Sequence, residues 1–237
     1  MGSDLVFGCL QLESYDIVSY FCVTLLFISC TIPCMDRNVI YFDFDRTLLD
    51  TDALKAEQER RIAQITELTI EQVNEGMHAY IASLDTHLHF SPDGYAVFLA
   101  NRFNIDQNQV LKVYLTDSNY ISEYLFPEVL EVLAELKNRG VELGVFSGAM
   151  FGHQKVKIER SGITEFISWK SILVTPQKLD LQVLSKIPSN ALVVDDDIAV
   201  VTTLVTQAPT LFPVWCNRKT SDQAPGIKTI HSLKDLL

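Results

Sequence analysis

Apolar and polar residues change their period along the chain, and each change marks a boundary. Four apolar residues, Val39 to Phe42, have the length of a short buried strand and run straight into two carboxylates one residue apart, Asp43 and Asp45. In an extended chain residues i and i+2 point to the same side, so both acids face one way at the strand's end. After Asp50 the texture becomes helical. Thr51 to Ile65 is rich in strong helix formers. Thr69-Ile-Glu-Gln72 has the form of a capping box opening a second helix to about Leu84. Ser91-Pro-Asp-Gly opens a third, reaching Asn101 or Phe103, with Pro92 suited to a first helical turn, and Asp106 to about Thr116 reads as a fourth. No alternating strand pattern interrupts residues 51–120, which predicts an inserted all-α unit.

From Phe126 onward strands and helices alternate. Phe126 to Gly140 is a helix with Pro127 at its start, Gly140 just past its end, Lys137 and Arg139 in the last turn, and Val129, Leu130, Leu133 and Leu136 at helical spacing. Val141 to Phe146 is a strand followed by Ser147-Gly148-Ala149. His153 to Ser161 is a helix that Gly162 ends, Ile172 to Val174 a brief strand, and Leu179 to Ile187 another helix. Ala191 to Val194 is a buried strand ending in Asp195-Asp196-Asp197. Ile198 to Gln207 is helical, Leu211 to Cys216 a last strand, and Ser232 to Leu237 a short helix. This alternation predicts an α/β fold with a Rossmann-like parallel sheet and helices on both faces. The expected division is a core of residues 37–50 and 121–237, a helical cap over 51–120, and an N-terminal apolar segment, 1–36. In such sheets ligands sit beyond the carboxyl ends of the strands.

Composition alters this picture in two places. A net charge of −11 with no Lys/Arg block argues against nucleic-acid binding through phosphates. The first 34 residues hold no Lys or Arg but contain Cys9, Cys22, Cys30 and Cys34, leaving Cys216 alone in the body. That distribution suits neither a disulfide scaffold nor a metal site. Ile17 to Ile32 is an apolar run of 16 residues, short against the roughly 20 that a membrane helix needs. Three readings stay open for it: a membrane anchor with Arg37 on the cytoplasmic side, a signal peptide lacking its basic region, or a dispensable segment preceding a start at Met35. A cytoplasmic protein is the expectation, membrane attachment through residues 17–32 the alternative, and the oligomeric state stays open.

The chemistry gathers at strand ends. Two acids at the end of a buried strand repel and lose water, which is costly unless a cation or a developing charge sits there. With Thr47 and Leu48 the run reads Asp-x-Asp-x-Thr-Leu after an apolar strand. It resembles the first motif of the haloacid dehalogenase (HAD) superfamily of phosphohydrolases. Ser147-Gly148 after the second strand, Lys178 before a helix, with Lys170 as a competitor, and Asp195-Asp196 after the third strand follow in the order of that family's later motifs. The resemblance covers about Asn38 to Leu237, and the helical insert matches members with an α-helical cap.

The resemblance implies an activity and a set of roles. Asp43 would attack phosphorus to give an aspartyl-phosphate and lend an oxygen to Mg²⁺, a hard cation that prefers oxygen ligands. Asp45 would offer its carbonyl to the metal, and its side chain would protonate the leaving oxygen and then deprotonate water. Ser147, the Gly148 N–H and Lys178 would hold the phosphoryl oxygens. Asp196 would be the acidic metal ligand with Asp195 in support, in a register ambiguous by one residue. Thr47 would fix the loop. The implied function is Mg²⁺-dependent hydrolysis of a small phosphorylated metabolite. The alternatives are a sugar phosphomutase, a non-catalytic regulatory binding protein, and a response-regulator-like site, which the Asp-x-Asp-x-Thr pair and the insert disfavour. His78, His87 and His89 fall in the insert. His87-Leu-His89 could pair on a metal, but residues of a surface or cap interface are the favoured reading.

Overall fold

The computed structural model describes residues 38–116 and 118–237. The apolar run 17–32 and the proposed start at Met35 lie outside them. Among the described residues no helix is long and apolar enough to cross a membrane.

Six parallel strands form one sheet in the order β3-β2-β1-β4-β5-β6. They are β1 Val39–Phe42, β2 Glu142–Ser147, β3 Ile172–Val174, β4 Leu192–Asp195, β5 Phe212–Cys216 and β6 Lys228–Ile230. β1 lies between β2, with Tyr41 opposite Gly144, and β4, with Tyr41 opposite Val193. Its alternation sends Ile40 and Phe42 to one face, beside Val145 and Val194, and Tyr41 to the other, beside Phe146 and Val193. The aromatic ring of Tyr41 lies so close to β2 that a Cβ on Gly144 would stand 2.5 Å from it, which is why the strand carries glycine there.

Helices cover both faces. α5 (Val129–Asn138) buries Val129, Val132, Leu133 and Leu136 against the first face. The spacing i, i+3, i+4, i+7 is as expected of an amphipathic helix, but Val132 takes the inward position and Leu130 is 43% exposed. α6 (Phe151–Ser161) contributes Ile158 to the same core. α7 (Leu181–Leu184) and α8 (Ile198–Gln207) cover the second face through Leu184 and Leu204.

The insert is helical as expected: α1 (Thr51–Thr66), α2 (Ile70–Ala82), α3 (Pro92–Phe103) and α4 (Gln107–Leu111), which continues as a π-helical turn over Lys112–Thr116. Local signals set the ends. Asp50 caps α1 by accepting from the Ala53 N–H, the Thr69/Gln72 capping box opens α2, and Ser91 caps α3 before Pro92. These helices pack on their own apolar cluster of Ile62, Val73, Tyr80, Tyr95, Leu99, Val110 and Tyr114, separate from the two cores of the sheet. The chain leaves and re-enters the sheet layer side by side: the Asp50 N–H donates to the Tyr124 carbonyl and the Phe126 N–H to the Leu48 carbonyl.

Two elements differ from expectation. The helix expected over Leu179–Ile187 is the single turn α7, because Asp180 spends its side chain capping the Gln182 N–H and Pro188 disfavours helical geometry at Ile187. β6 is an additional strand; three residues on the sheet edge carry too little periodicity to be seen in the sequence.

Candidate active site

Three adjacent strands, β2, β1 and β4, end at one place, where the chain's path across the sheet reverses direction from β1. Asp43 follows β1, Ser147 is the last residue of β2, and Asp195 the last of β4. The Asp43 N–H donates to the Val194 carbonyl at 2.7 Å, which extends the ladder by one bond and fixes the carboxylate over the sheet edge. The loop beyond turns sharply, with Arg46 left-handed at φ +61° and the Leu48 and Leu49 N–H groups donating to the Phe44 carbonyl. From behind, Arg218 donates twice to the Thr47 carbonyl, pairs with Glu128 at 2.7 Å and lies over the Phe126 ring. Thr47 is fully buried in this loop and its hydroxyl has no hydrogen-bond partner among the described residues.

Lys178 reaches between two of the strand ends. Its ammonium donates to Asp43 Oδ1 at 2.7 Å and to Asp195 Oδ2 at 2.5 Å, with all three side chains buried. The other Asp195 oxygen accepts the Asp197 N–H at 2.9 Å, so both its oxygens are engaged. Lys170, its competitor in the sequence, is exposed. Two buried carboxylates share one cation, so negative charge is in surplus around Lys178. Burial pushes the Asp43 carboxyl well up, with Asp195 and Asp45 adding to it against the pull of Lys178. Burial works against the Lys178 ammonium, but the two carboxylates beside it hold it charged. Asp196 is pushed up to about 6 by burial and then by Asp195.

Asp45 is held separately. Its Oδ1 accepts from Thr51 Oγ1 at 2.7 Å and from the Lys157 ammonium, and its Oδ2 from Gln154 Nε2 at 2.7 Å. Burial would raise this carboxyl, yet Lys157 together with the hydrogen bonds from Thr51 and Gln154 holds it well below the usual range. The structure thus brings Asp43, Asp45, Ser147, Lys178 and Asp195 together, with Gly148 lying over the Lys178 stem.

Lys157, Gln154 and Thr51 belong to this cluster and sequence reasoning passed over them. A signal for the first two existed. The buried stripe of α6 is Gln154, Lys157, Ile158 and Ser161, so polar residues occupy positions that a helix normally gives to its core.

Above the strand ends opens a pocket of about 1300 Å³. Asp43, Asp45, Ser147, Gly148, Lys178, Asp195 and Asp196 line its floor; the helices contribute Lys55, Met77, His78, His87 and Tyr114. His153 stands at the junction, its ring 5.5 Å from Phe90 and 5.7 Å from Tyr114. Arg46 and Lys219 also line the pocket, both held by Asp52.

Among the described residues no three carboxylate, thiolate or imidazole side chains converge as a ready metal cage. The floor nevertheless suits a hard divalent cation. It has more carboxylates than cations, and Asp196 carries its raised carboxyl without an ion-pair partner among the described residues. Mg²⁺ commonly takes one or two carboxylates and keeps several waters, which Asp43, Asp196 and the Asp45 carbonyl could supply.

A profile of the haloacid dehalogenase-like hydrolase family matches residues 40–173, more than half of the chain. The chain belongs to that family. Among solved structures it is similar to a haloacid dehalogenase-like hydrolase from Burkholderia xenovorans LB400, at 18% identity and a TM-score of 0.63, over 84% of this chain and 95% of that one. It is also similar to the HAD hydrolase YfnB from Bacillus subtilis, solved bound to magnesium (16% identity, TM-score 0.59, 84% and 96% covered). A third is a HAD phosphatase from Thermococcus onnurineus (16% identity, TM-score 0.56, 84% and 95% covered). Dehalogenases stand among the other similar structures. Comparison with curated proteins gives no match.

Proposed function

We propose that this hydrolase is a Mg²⁺-dependent phosphatase acting on a small phosphorylated metabolite, with Asp43 as nucleophile and Asp45 as general acid and base. The observation that carries this reading is the separation of the two acids. Asp43 shares a buried lysine with Asp195, whereas Asp45, two residues on, has its own lysine, amide and hydroxyl and lines the pocket. A carboxylate kept apart from the nucleophile is what the departing oxygen of a phosphate ester needs, since an alcohol leaves poorly without a proton. A halide needs none, and this is why phosphoester hydrolysis is favoured over carbon–halogen cleavage.

In the first half-reaction an Asp43 oxygen bonds to phosphorus as the bond from phosphorus to the ester oxygen breaks, and Asp45 delivers the proton to that oxygen. In the second, water attacks phosphorus, Asp45 takes its proton, and the carboxylate of Asp43 and inorganic phosphate are released. Paired with Lys157, Asp45 is in the carboxylate form that the second half requires; for the first half it takes up the proton of the bound phosphate monoanion and passes it to the leaving oxygen. Ser147 and Lys178 lie where they can meet the phosphoryl oxygens, and the Lys178 charge offsets repulsion between two anions. Held by Asp43, Asp196 and the Asp45 carbonyl, Mg²⁺ would supply charge neutralisation. The helical wall would act as a cap, limiting the site to small substrates and excluding water.

The test is phosphate release from p-nitrophenyl phosphate and from a panel of phosphorylated metabolites, with Mg²⁺ and with EDTA. Mg²⁺-dependent turnover is expected. Release of halide from 2-haloacids with no phosphate release from any ester would overturn the reading.

A further inference from the structure

Two residues of α6 reach across to the loop after β1. We propose that Lys157 and Gln154 are positioning residues that aim Asp45 at the leaving oxygen and tie its placement to the hydroxyl of Ser147. The inference rests on the phosphatase reading and deepens it by giving the two α6 residues that hold Asp45 a role in the reaction.

A lysine on the core-facing stripe of a helix gives up hydration, so it persists there only with a partner in good geometry. The ammonium of Lys157 is bonded to Asp45 and lies 5.6 Å from the centre of the Phe44 ring. Both ends of this pair are shielded: the Lys157 side chain is 7% exposed and that of Asp45 26%. Gln154 adds direction. Its single Nε2 carries two N–H groups, and the structure has one partner for each: Asp45 Oδ2 at 2.7 Å and Ser147 Oγ at 2.9 Å. The amide therefore bridges the end of β2 and the loop after β1. With Thr51 on Oδ1, the carboxylate of Asp45 receives donors from two separate helices on both oxygens. A carboxylate on a turning loop would otherwise rotate about its side-chain bonds, and about 1 Å of misplacement can lower a rate by on the order of a hundredfold. Lys157 is distinct from Lys178: the one pairs with Asp45, the other with Asp43 and Asp195.

Proton delivery matters in proportion to the basicity of the leaving oxygen. Two phosphate monoesters of similar shape separate it from everything else: p-nitrophenyl phosphate, whose phenolate leaves without a proton, and benzyl phosphate, whose alkoxide does not. With Mg²⁺ present, Lys157→Met is expected to lower kcat/KM, which reads only the first half-reaction, by roughly a hundredfold or more on benzyl phosphate, the scale of general acid catalysis, and by less than about tenfold on p-nitrophenyl phosphate. Lys157→Arg should restore much of the benzyl activity. Gln154→Leu should shift the ratio the same way and also raise KM, because Ser147 loses its partner. In an Asp45→Asn background Lys157→Met should produce no further selective loss. An equal fall on both esters, or a selective loss that persists without Asp45, overturns the proposal; Lys157→Gln replaces the methionine variant if that one does not fold. A parent protein that hydrolyses neither ester would instead count against the phosphatase reading. The clamp is then judged by urea unfolding of Asp45→Asn, Lys157→Met and the double variant, where additive effects overturn it.

Discussion

Replacing His153 by phenylalanine should flatten the dependence of stability on acidity. The imidazole lies beside Phe90 and Tyr114, and its Nε2 is sealed from solvent without a hydrogen-bond partner among the described residues. Burial, then the nearby Lys157, lowers its titration from 6.5 to about 3. In the unfolded chain the same group titrates at its ordinary value. Between these two values falling pH protonates the unfolded state and not the folded one, so stability is complete above pH 6.5 and is lost as pH falls toward 3. The linkage relation puts the loss at about 0.2 kcal/mol at pH 7 and about 2 kcal/mol at pH 5. Raising the folded value by one unit changes the figure at pH 5 by less than about 0.1 kcal/mol, because pH 5 still lies above it. The figure is a ceiling, since part of the side chain reaches solvent.

The assay is urea unfolding of the parent and His153→Phe at pH 7, 6 and 5. Asp43 and Asp196 are shifted the other way, and protonating them in the folded state opposes this trend, but both carboxyls are present in both proteins. The expected result is therefore in the difference: the parent loses up to about 2 kcal/mol more than the variant between pH 7 and pH 5. At pH 7 the variant should equal or exceed the parent, because an apolar ring of similar shape removes an unsatisfied buried polar atom. Parallel pH profiles would refute the reasoning, and so would an imidazole that titrates near 6.5 by NMR.

Other consequences follow from Lys178 and the nucleophile. Lys178→Met leaves Asp43 and Asp195 buried without their cation and should destabilise the protein by about 3–5 kcal/mol at neutral pH, less in acid where one carboxyl takes up a proton; urea unfolding at pH 7 and 5 measures both. Asp43→Asn should abolish phosphate release and preserve or raise stability, because it removes one of two carboxylates competing for Lys178; turnover retained at more than about a thousandth of the parent rate would remove Asp43 as nucleophile.

Much of this architecture was legible along the chain because its determinants are local. The apolar run Val39–Phe42, the capping box at Thr69 and Gln72, and the Pro127 to Gly140 helix are each specified by neighbours a few residues apart, and each is present. The alternation of strands and helices determined a parallel sheet, and a parallel sheet brings its strand ends together. Asp43, Ser147 and Asp195 meet for that reason although long stretches of chain separate them.

What the sequence left undecided depends on rotation and register. α6 was legible as a helix, but which of its faces met the site depended on how it packed against the sheet. That packing brought Gln154 and Lys157, 109 and 112 residues from Asp45, onto its carboxylate. Likewise Asp195 and Asp196 are equivalent in the sequence. Only the pleat of β4 separates them, turning Asp195 toward Lys178 and leaving Asp196 on the pocket floor without an ion-pair partner among the described residues. Period and capping are properties of adjacent residues, so one chain displays them. Ion pairs between distant elements form only when packing has fixed how each element is turned, and that is decided by the whole core at once.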